Sequence, residues 1–146
     1  KKEYREASML FVHGSPRDPV REYMVPRDIE DQVKMSECFA KMGEAKLCFI
    51  GRSHVPGVYT QSGKFLMPSE IGMEWQVDEP AIVNVGSVGQ PRDGDTRSSF
   101  VTYDGEGTDG TVRFHRVAYD HEATSGKIRA IEELPDYLAD RLGKGR

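Results

Sequence analysis

The sequence predicts an α/β fold built on an open sheet, and two observations carry that expectation. Met9–Val12, Leu47–Ile50 and Ala81–Val85 are short runs of apolar residues without polar alternation, and each ends in a glycine-containing loop. A strand covered on both faces needs no alternation, so such runs read as buried strands. Between the first two, Ile29, Val33, Cys38 or Phe39, and Met42 recur at near-helical spacing, which places a helix there.

Taken in order, the first strand ends by presenting His13 ahead of Gly14-Ser15-Pro16-Arg17-Asp18-Pro19, a loop dense in turn formers. Arg17 and Asp18 either bind a substrate phosphate or pair with each other. Pro26 and Arg27 lead into a helix with Asp28 as its N-cap and Gly43 as its stop. Lys34, Glu37 and Lys41 occupy the polar face, and Met35 and Met42 read as packing residues. The second strand breaks at Gly51 and delivers Arg52 and His54 onto a loop closed by Pro56 and Gly57. Loops at the carboxyl ends of parallel strands are where open α/β sheets hold their ligands.

Val58–Tyr59 and Lys64–Met67 flank a turn at 60–63 and read as a hairpin. Residues 68–80 read as an irregular or short-stranded connection, with Trp75 in the core. The loop from Asn84 to Asp95 is glycine-rich, so its amides can approach an anion closely. It lacks both the Walker lysine and the dinucleotide glycine spacing. Ser98–Tyr103 and Thr111–Tyr119 form a second predicted hairpin around an acidic turn at 104–110, which does not follow the EF-hand order of ligands. Phe100, Thr102, Val112, Phe114 and Ala118 alternate as a half-buried pair would, with His115 on the opposite, outer face. Asp120 caps a final helix to about Glu133, with Ile128 and Ile131 inward and His121 solvated. A last helical turn from Pro135 to Leu142 ends at Gly143.

Composition excludes several functions. The net charge is -4, with 20 basic and 24 acidic residues interspersed, so no basic stripe marks a non-specific nucleic-acid footprint. No apolar run reaches membrane-spanning length, and no charged start followed by an apolar segment suggests secretion. Cys38 and Cys48 are too few for a disulfide framework or a zinc knuckle, and Cys48 reads as a reduced, packed thiol. A cytoplasmic setting is the expectation. Hydrophobic residues make up 37% of the 146, and the mean hydropathy of -0.60 is low for a sheet covered on both faces.

Four segments, FVHGSPRDPVREYMVP (11–26), CFIGRSHVPGVY (48–59), IVNVGSVGQPRDGDTRSSF (82–100) and RVAYDHEATSGKIRAIEELPDYLADRLGKGR (116–146), resemble in order and spacing the C-terminal part of a bacterial calcineurin-like metallophosphoesterase. The resemblance implies an αββα four-layer sandwich of two mixed sheets, of which residues 1–146 supply the later strands and helices of a single domain. It further implies hydrolysis of a phosphomonoester or phosphodiester by a metal-activated water, with a phosphate-ester small molecule or nucleotide as substrate. One or two divalent transition ions, Mn, Fe, Zn or Ni, would be held by His13 and His54, with Asn84 and Arg92 touching substrate or shaping the cleft. Family members usually carry proline where Val85 stands, a change with modest expected consequences.

Two departures matter. The family's Asp-x-His, Gly-Asp and Gly-Asn-His motifs, which supply over half the ligands, have no counterpart in residues 1–146. The chain therefore reads as the second part of a longer polypeptide, whose partner would be the N-terminal part of the same domain or another copy in a homo-oligomer. Residues 1–146 alone are expected to expose apolar sheet faces and to aggregate or dimerise. The family's final Gly-His-x-His reads here Gly51-Arg52-Ser53-His54. A guanidinium has no lone pair to give a metal. Arg52 then either grips a substrate phosphate in a one-metal hydrolase of reduced rate, or marks a catalytically inactive phosphate or nucleotide-binding module, or is a variant accommodated by rearrangement.

Overall fold

The computed structural model describes residues 1–106 and 109–146. Two sheets face each other. The first is six-stranded, in the order β1-β2-β3-β7-β4-β5, from β1 (Glu3–Glu6), β2 (Met9–Val12), β3 (Leu47–Ile50), β7 (Ala81–Asn84), β4 (Gly57–Thr60) and β5 (Phe65–Leu66). Its centre, β2-β3-β7, is parallel, and β1, β4 and β5 join antiparallel. The second sheet is β6 (Glu74–Gln76), β9 (Asp109–Val117) and β8 (Ser98–Glu106), all antiparallel.

The apolar runs lack alternation because each side chain has a layer to enter. Successive side chains of a strand point to opposite faces. Leu47, Phe49, Val58, Ala81 and Val83 face the second sheet, where Trp75, Val77, Val112 and Phe114 meet them. Cys48, Ile50, Tyr59 and Ile82 face the other way, onto Met35, Cys38 and Met42 of the helix α1 (Gln32–Met42), with Met24 beside them. Burial raises the thiol pKa of both Cys38 and Cys48, so neither is poised as a nucleophile. The layers that pack on one another are therefore helix, sheet, sheet, the two facing sheets of the expected sandwich with one of its helix layers.

Several expectations are corrected. Asp28 does not cap α1; its carboxylate accepts from Val25 N at 2.7 Å, holding a 3₁₀ turn, Pro26–Glu30, and Asp31 is the N-cap, accepting from Lys34 N at 2.9 Å. The later start rotates the stripe, so Met35, Cys38 and Met42 are inside while Val33 is 67% exposed. Lys34 is not on a solvent face, because its ammonium reaches Asp28 Oδ2 at 2.7 Å and the Tyr23 carbonyl at 2.8 Å. Strand β1 departs from the sequence expectation, since its exposed Glu-Tyr-Arg-Glu has no apolar pattern; beside the backbone pairing, Tyr4 sets its ring 5.9 Å from Phe11 and Arg5 Nη1 donates to the Met42 carbonyl at 2.7 Å. On β8 the predicted faces are inverted. The register sets Phe100 opposite His115, with stacked rings 4.6 Å apart, and Val101 opposite Phe114. Val101 and Tyr103 therefore pack inward with Phe114, while Phe100 and Thr102 lie outside. The predicted turn at 104–110 shortens, as the strands run to Glu106 and from Asp109; residues 107–108 lie outside the described residues.

The final helix stops early. α2 spans His121–Arg129, capped by Asp120 as expected, and α3 spans Tyr137–Leu142. Ile131 is 46% exposed rather than inward, and the buried contacts between the two helices are Ser125 Oγ donating to the Ala139 carbonyl at 3.1 Å. His121 is half-buried, its Nδ1 3.5 Å from Glu122. Beyond α3, Gly145 lies at φ +60°, and its carbonyl accepts from Gly94 N at 3.0 Å. A Cβ there would come within 2.8 Å of Asp95 N, so only glycine lets the tail lie on that loop.

Tyr59 is wholly buried, and its hydroxyl finds no hydrogen-bond partner among the described residues. Removing a buried, unpaired hydroxyl removes a desolvation penalty rather than a bond. Tyr59→Phe is therefore expected to leave the thermal midpoint unchanged or raise it, by up to about 1 kcal/mol in unfolding free energy. Chemical denaturation would check this, and a clear loss of stability would show that the hydroxyl is bonded.

Candidate functional site

The loops after β2, β3 and β7 are knitted together by their backbones. The His13 carbonyl accepts from Gly51 N at 3.2 Å and Arg52 N at 2.9 Å, and Val85 N donates to the Ile50 carbonyl at 2.9 Å. Parallel pairing puts the three strand ends at one edge, so His13, Arg52, His54 and the 84–92 loop converge although they are far apart in sequence.

His54 is held from three sides. Its backbone is left-handed, φ 61°, an uncommon conformation outside glycine, and its amide donates to the Gly51 carbonyl at 2.9 Å. Its own carbonyl accepts from Arg92 N at 3.2 Å, and its Nδ1 lies 2.8 Å from the Gln90 carbonyl. A carbonyl only accepts, so Nδ1 carries the proton and Nε2 keeps its lone pair. Burial lowers the pKa of this half-buried ring, and the charges of Arg92, His13 and Arg52 push the same way against the Gln90 bond, which favours the neutral ligand form. A ring oriented through Nδ1 by a backbone carbonyl, with Nε2 presented, is the arrangement that metal-ligating histidines adopt.

His13 is placed differently. Its exposed ring has Nε2 3.4 Å from Arg52 Nη1. Arginine only donates, so the imidazole lone pair is directed at a guanidinium. Arg52 does not swing free, for its Nε donates to the Arg21 carbonyl at 2.9 Å and its guanidinium lies over the Tyr23 ring, 4.6 Å from the centroid. His54 therefore keeps a ring nitrogen available to a ligand, whereas the Nε2 of His13 is directed at Arg52. No group of three or more His, Cys, Asp or Glu able to hold a metal occurs among the described residues.

Arg17 pairs, but not with Asp18. It reaches Glu22 at 2.5 Å and Glu37 at 2.5 Å, while Asp18 Oδ1 accepts from the amides of Val20 and Arg21. Its guanidinium is thus neutralised by two carboxylates. Asn84 is fully buried, donating from Nδ2 to Ser53 Oγ at 2.8 Å and accepting at Oδ1 from Gly86 N at 3.0 Å. Those contacts shape the loops. Arg92 is half-buried beside His54 and bonds Gln90 Oε1 at 2.8 Å. Sequence reasoning missed Gln90 and Arg21, which act through backbone carbonyls that any residue supplies, and Tyr23, whose role depends on where the 14–25 loop folds.

A cleft of about 450 Å³ opens beside His13, lined by Phe11, Phe49, Ile50, Gly51 and Val85. A larger cavity, about 620 Å³, lies against the 93–97 loop. Its charges are satisfied among themselves, Arg116 with Asp93 and Arg97 with Asp95 at 2.7 Å, so it offers a ligand little. The Arg97 bonds hold Asp95 down at about 2, against burial. An aspartate depressed in the folded state stabilises the fold once ionised, so this contribution is present above about pH 4 and disappears as pH falls toward 2. Asp95→Asn is expected to flatten the stability profile in that window, measured by denaturation at pH 5 and pH 2.5.

No protein-family model matches the chain. It is similar to an uncharacterized protein of Methanocaldococcus jannaschii, 32% identical over 97 residues, a match covering 66% of the chain and 36% of that relative. A hypothetical protein of Pyrococcus horikoshii shares the fold, with a TM-score of 0.69 at 19% identity over 99% of the chain and 51% of that protein. The chain thus spans well under two thirds of these proteins. The crystal structure of a metallophosphoesterase from Sphaerobacter thermophilus superposes on all of the chain and 59% of its own length, with a TM-score of 0.83 and 31% identity, so the mixed two-sheet architecture is that of part of a metallophosphoesterase-like fold.

Proposed function

We propose that the chain is the C-terminal part of a metal-dependent phosphoesterase domain, hydrolysing a phosphate ester at the loops that follow β2, β3 and β7. The observation that carries the reading is His54, whose ring is oriented through Nδ1 by the Gln90 carbonyl and presents Nε2. The likeness to a solved metallophosphoesterase supports the reaction class at the coarse level. A divalent ion bound at such a site supplies a Lewis acid for phosphoryl oxygen and an acidified water.

The chain's own residues supply the rest. Gln90 fixes the tautomer of His54, and the left-handed backbone at 54 aims the ring. Arg92 and Arg52 place positive charge near it, which attracts a phosphate ester. Phe11, Phe49 and Val85 give the adjacent cleft an apolar wall that excludes water from one side. A second reading, an inactive phosphate or nucleotide-binding module, is favoured by one observation, the guanidinium set against His13.

The test is hydrolysis of p-nitrophenyl phosphate and its bis ester by the protein at its natural chain length, with transition-metal content measured on the same sample. His54→Ala is expected to lower both metal affinity and turnover, by at least about tenfold. Unchanged metal content and turnover in that variant would remove the reading. Metal and phosphate binding without turnover in the parent would establish the module instead.

A further inference from the structure

We propose that Arg52 is a built-in cation of the site, locked in place to receive one phosphoryl group and, by claiming the His13 lone pair, to keep a metal ion off His13. This deepens the phosphoesterase reading and rests on it for the nature of the ligand.

Three contacts fix the guanidinium. Nε donates to the Arg21 carbonyl at 2.9 Å, Nη1 lies 3.4 Å from His13 Nε2, and Cζ sits over the Tyr23 ring, 4.6 Å from its centre. The backbone adds a fourth restraint, because Arg52 N bonds the His13 carbonyl at 2.9 Å, so the two residues cannot drift apart. An arginine held this way has already lost the side-chain freedom that a ligand would otherwise have to remove. Of its five N–H groups, two are used, and Nη2 has no partner among the described residues. The free edge is a fork suited to two oxygens of one phosphate.

The same geometry excludes a cation. A divalent ion on His13 would need the Nε2 lone pair that faces Arg52, and it would sit within a few ångströms of a permanent positive charge. His54 also feels the charges of Arg92 and Arg52, but among the described residues no guanidinium bonds its Nε2, and its Nδ1 is satisfied by a neutral carbonyl. The site thus separates its two histidines, one open to a metal and one bonded to a guanidinium. Lysine would not substitute, because an ammonium can neither stack flat on Tyr23 nor offer a fork.

Calorimetric titration of the protein at its natural chain length with zinc alone, and separately with inorganic phosphate, tests the proposal. Arg52→His is expected to bind one more zinc equivalent than the parent, and the gain should vanish in Arg52→His/His13→Ala. Arg52→Ala and Arg52→Lys should each weaken phosphate binding by about tenfold or more. Thermal melting of each variant checks folding, and the nitrogen shifts of His13 give a reading independent of ligand, with Nδ1 protonated in the parent. The proposal is overturned if the parent binds a zinc ion that His13→Ala removes, if Arg52→His gains none while folded, or if Arg52→Lys binds phosphate as the parent does. These outcomes are separate from His54→Ala, on which the phosphoesterase reading depends.

Discussion

Arg116→Met is expected to lower the unfolding free energy by about 3 kcal/mol, because it strands a buried carboxylate. Arg116 sits on β9 with its side chain 8% exposed, and Asp93, 11% exposed, has its carboxylate against it. A second link runs to Asp95 at 3.7 Å and a third to the Arg97 carbonyl at 3.3 Å. Removing one member of such a pair costs far more than removing both, since the remaining charge keeps its desolvation penalty without compensation. The double variant Arg116→Met/Asp93→Asn should therefore be more stable than Arg116→Met alone. Urea denaturation of the two proteins decides it, and a single variant within 1 kcal/mol of the parent would mean that the pair is hydrated. The consequence reaches the site. Asp93 ties the second sheet to the segment that holds His54 through Gln90 and Arg92, so Arg116→Met should also loosen the orientation of the His54 ring.

Asn84→Ala is expected to cost about 3 kcal/mol as well, by a different route. Its amide joins the end of β7 to Ser53 and to Gly86 N, all buried. Alanine would leave Ser53 Oγ and the Gly86 amide without partners, each a penalty of about 1–3 kcal/mol. Gly86 cannot easily move to compensate, for it lies at φ +77° with Ser99 Oγ 2.5 Å from where a Cβ would stand. If alanine costs less than 1 kcal/mol, the loops are held by their backbone bonds alone.

The two corrections to the candidate residues have one origin. Arg17, Arg52 and Arg92 look alike in the sequence as cations near glycine-rich loops. Their roles separate once partners are known: Arg17 is neutralised by Glu22 and Glu37, Arg92 leans on Gln90, and Arg52 is stacked on Tyr23. Pairing is a matter of distance in space, and no local pattern encodes it. The inverted face of β8 is similar. Phe100 and Val101 are both apolar, so alternation alone allows either to point inward, and the register with β9 makes the choice.

The three buried strands of the core were legible along the chain. The runs at 9–12, 47–50 and 81–84 have nowhere to go but between two layers, and the glycines that end them place His13, Arg52 and His54 on loops. The N-cap of α2 and the burial of Trp75 could also be read there. The pair of sheets was legible only through the quoted motifs, since three apolar strands cannot specify a second sheet. No helix among the described residues is long and apolar enough to cross a membrane. Folding alone settles that β2, β3 and β7 pair parallel, that β4 enters the first sheet antiparallel beside β7, that polar Glu3–Glu6 forms its edge, and that His54 and His13 differ in what their nitrogens face. Burial is written in each residue's own chemistry, so it can be read along the chain. A lone pair's partner is set by chain segments that meet only after folding.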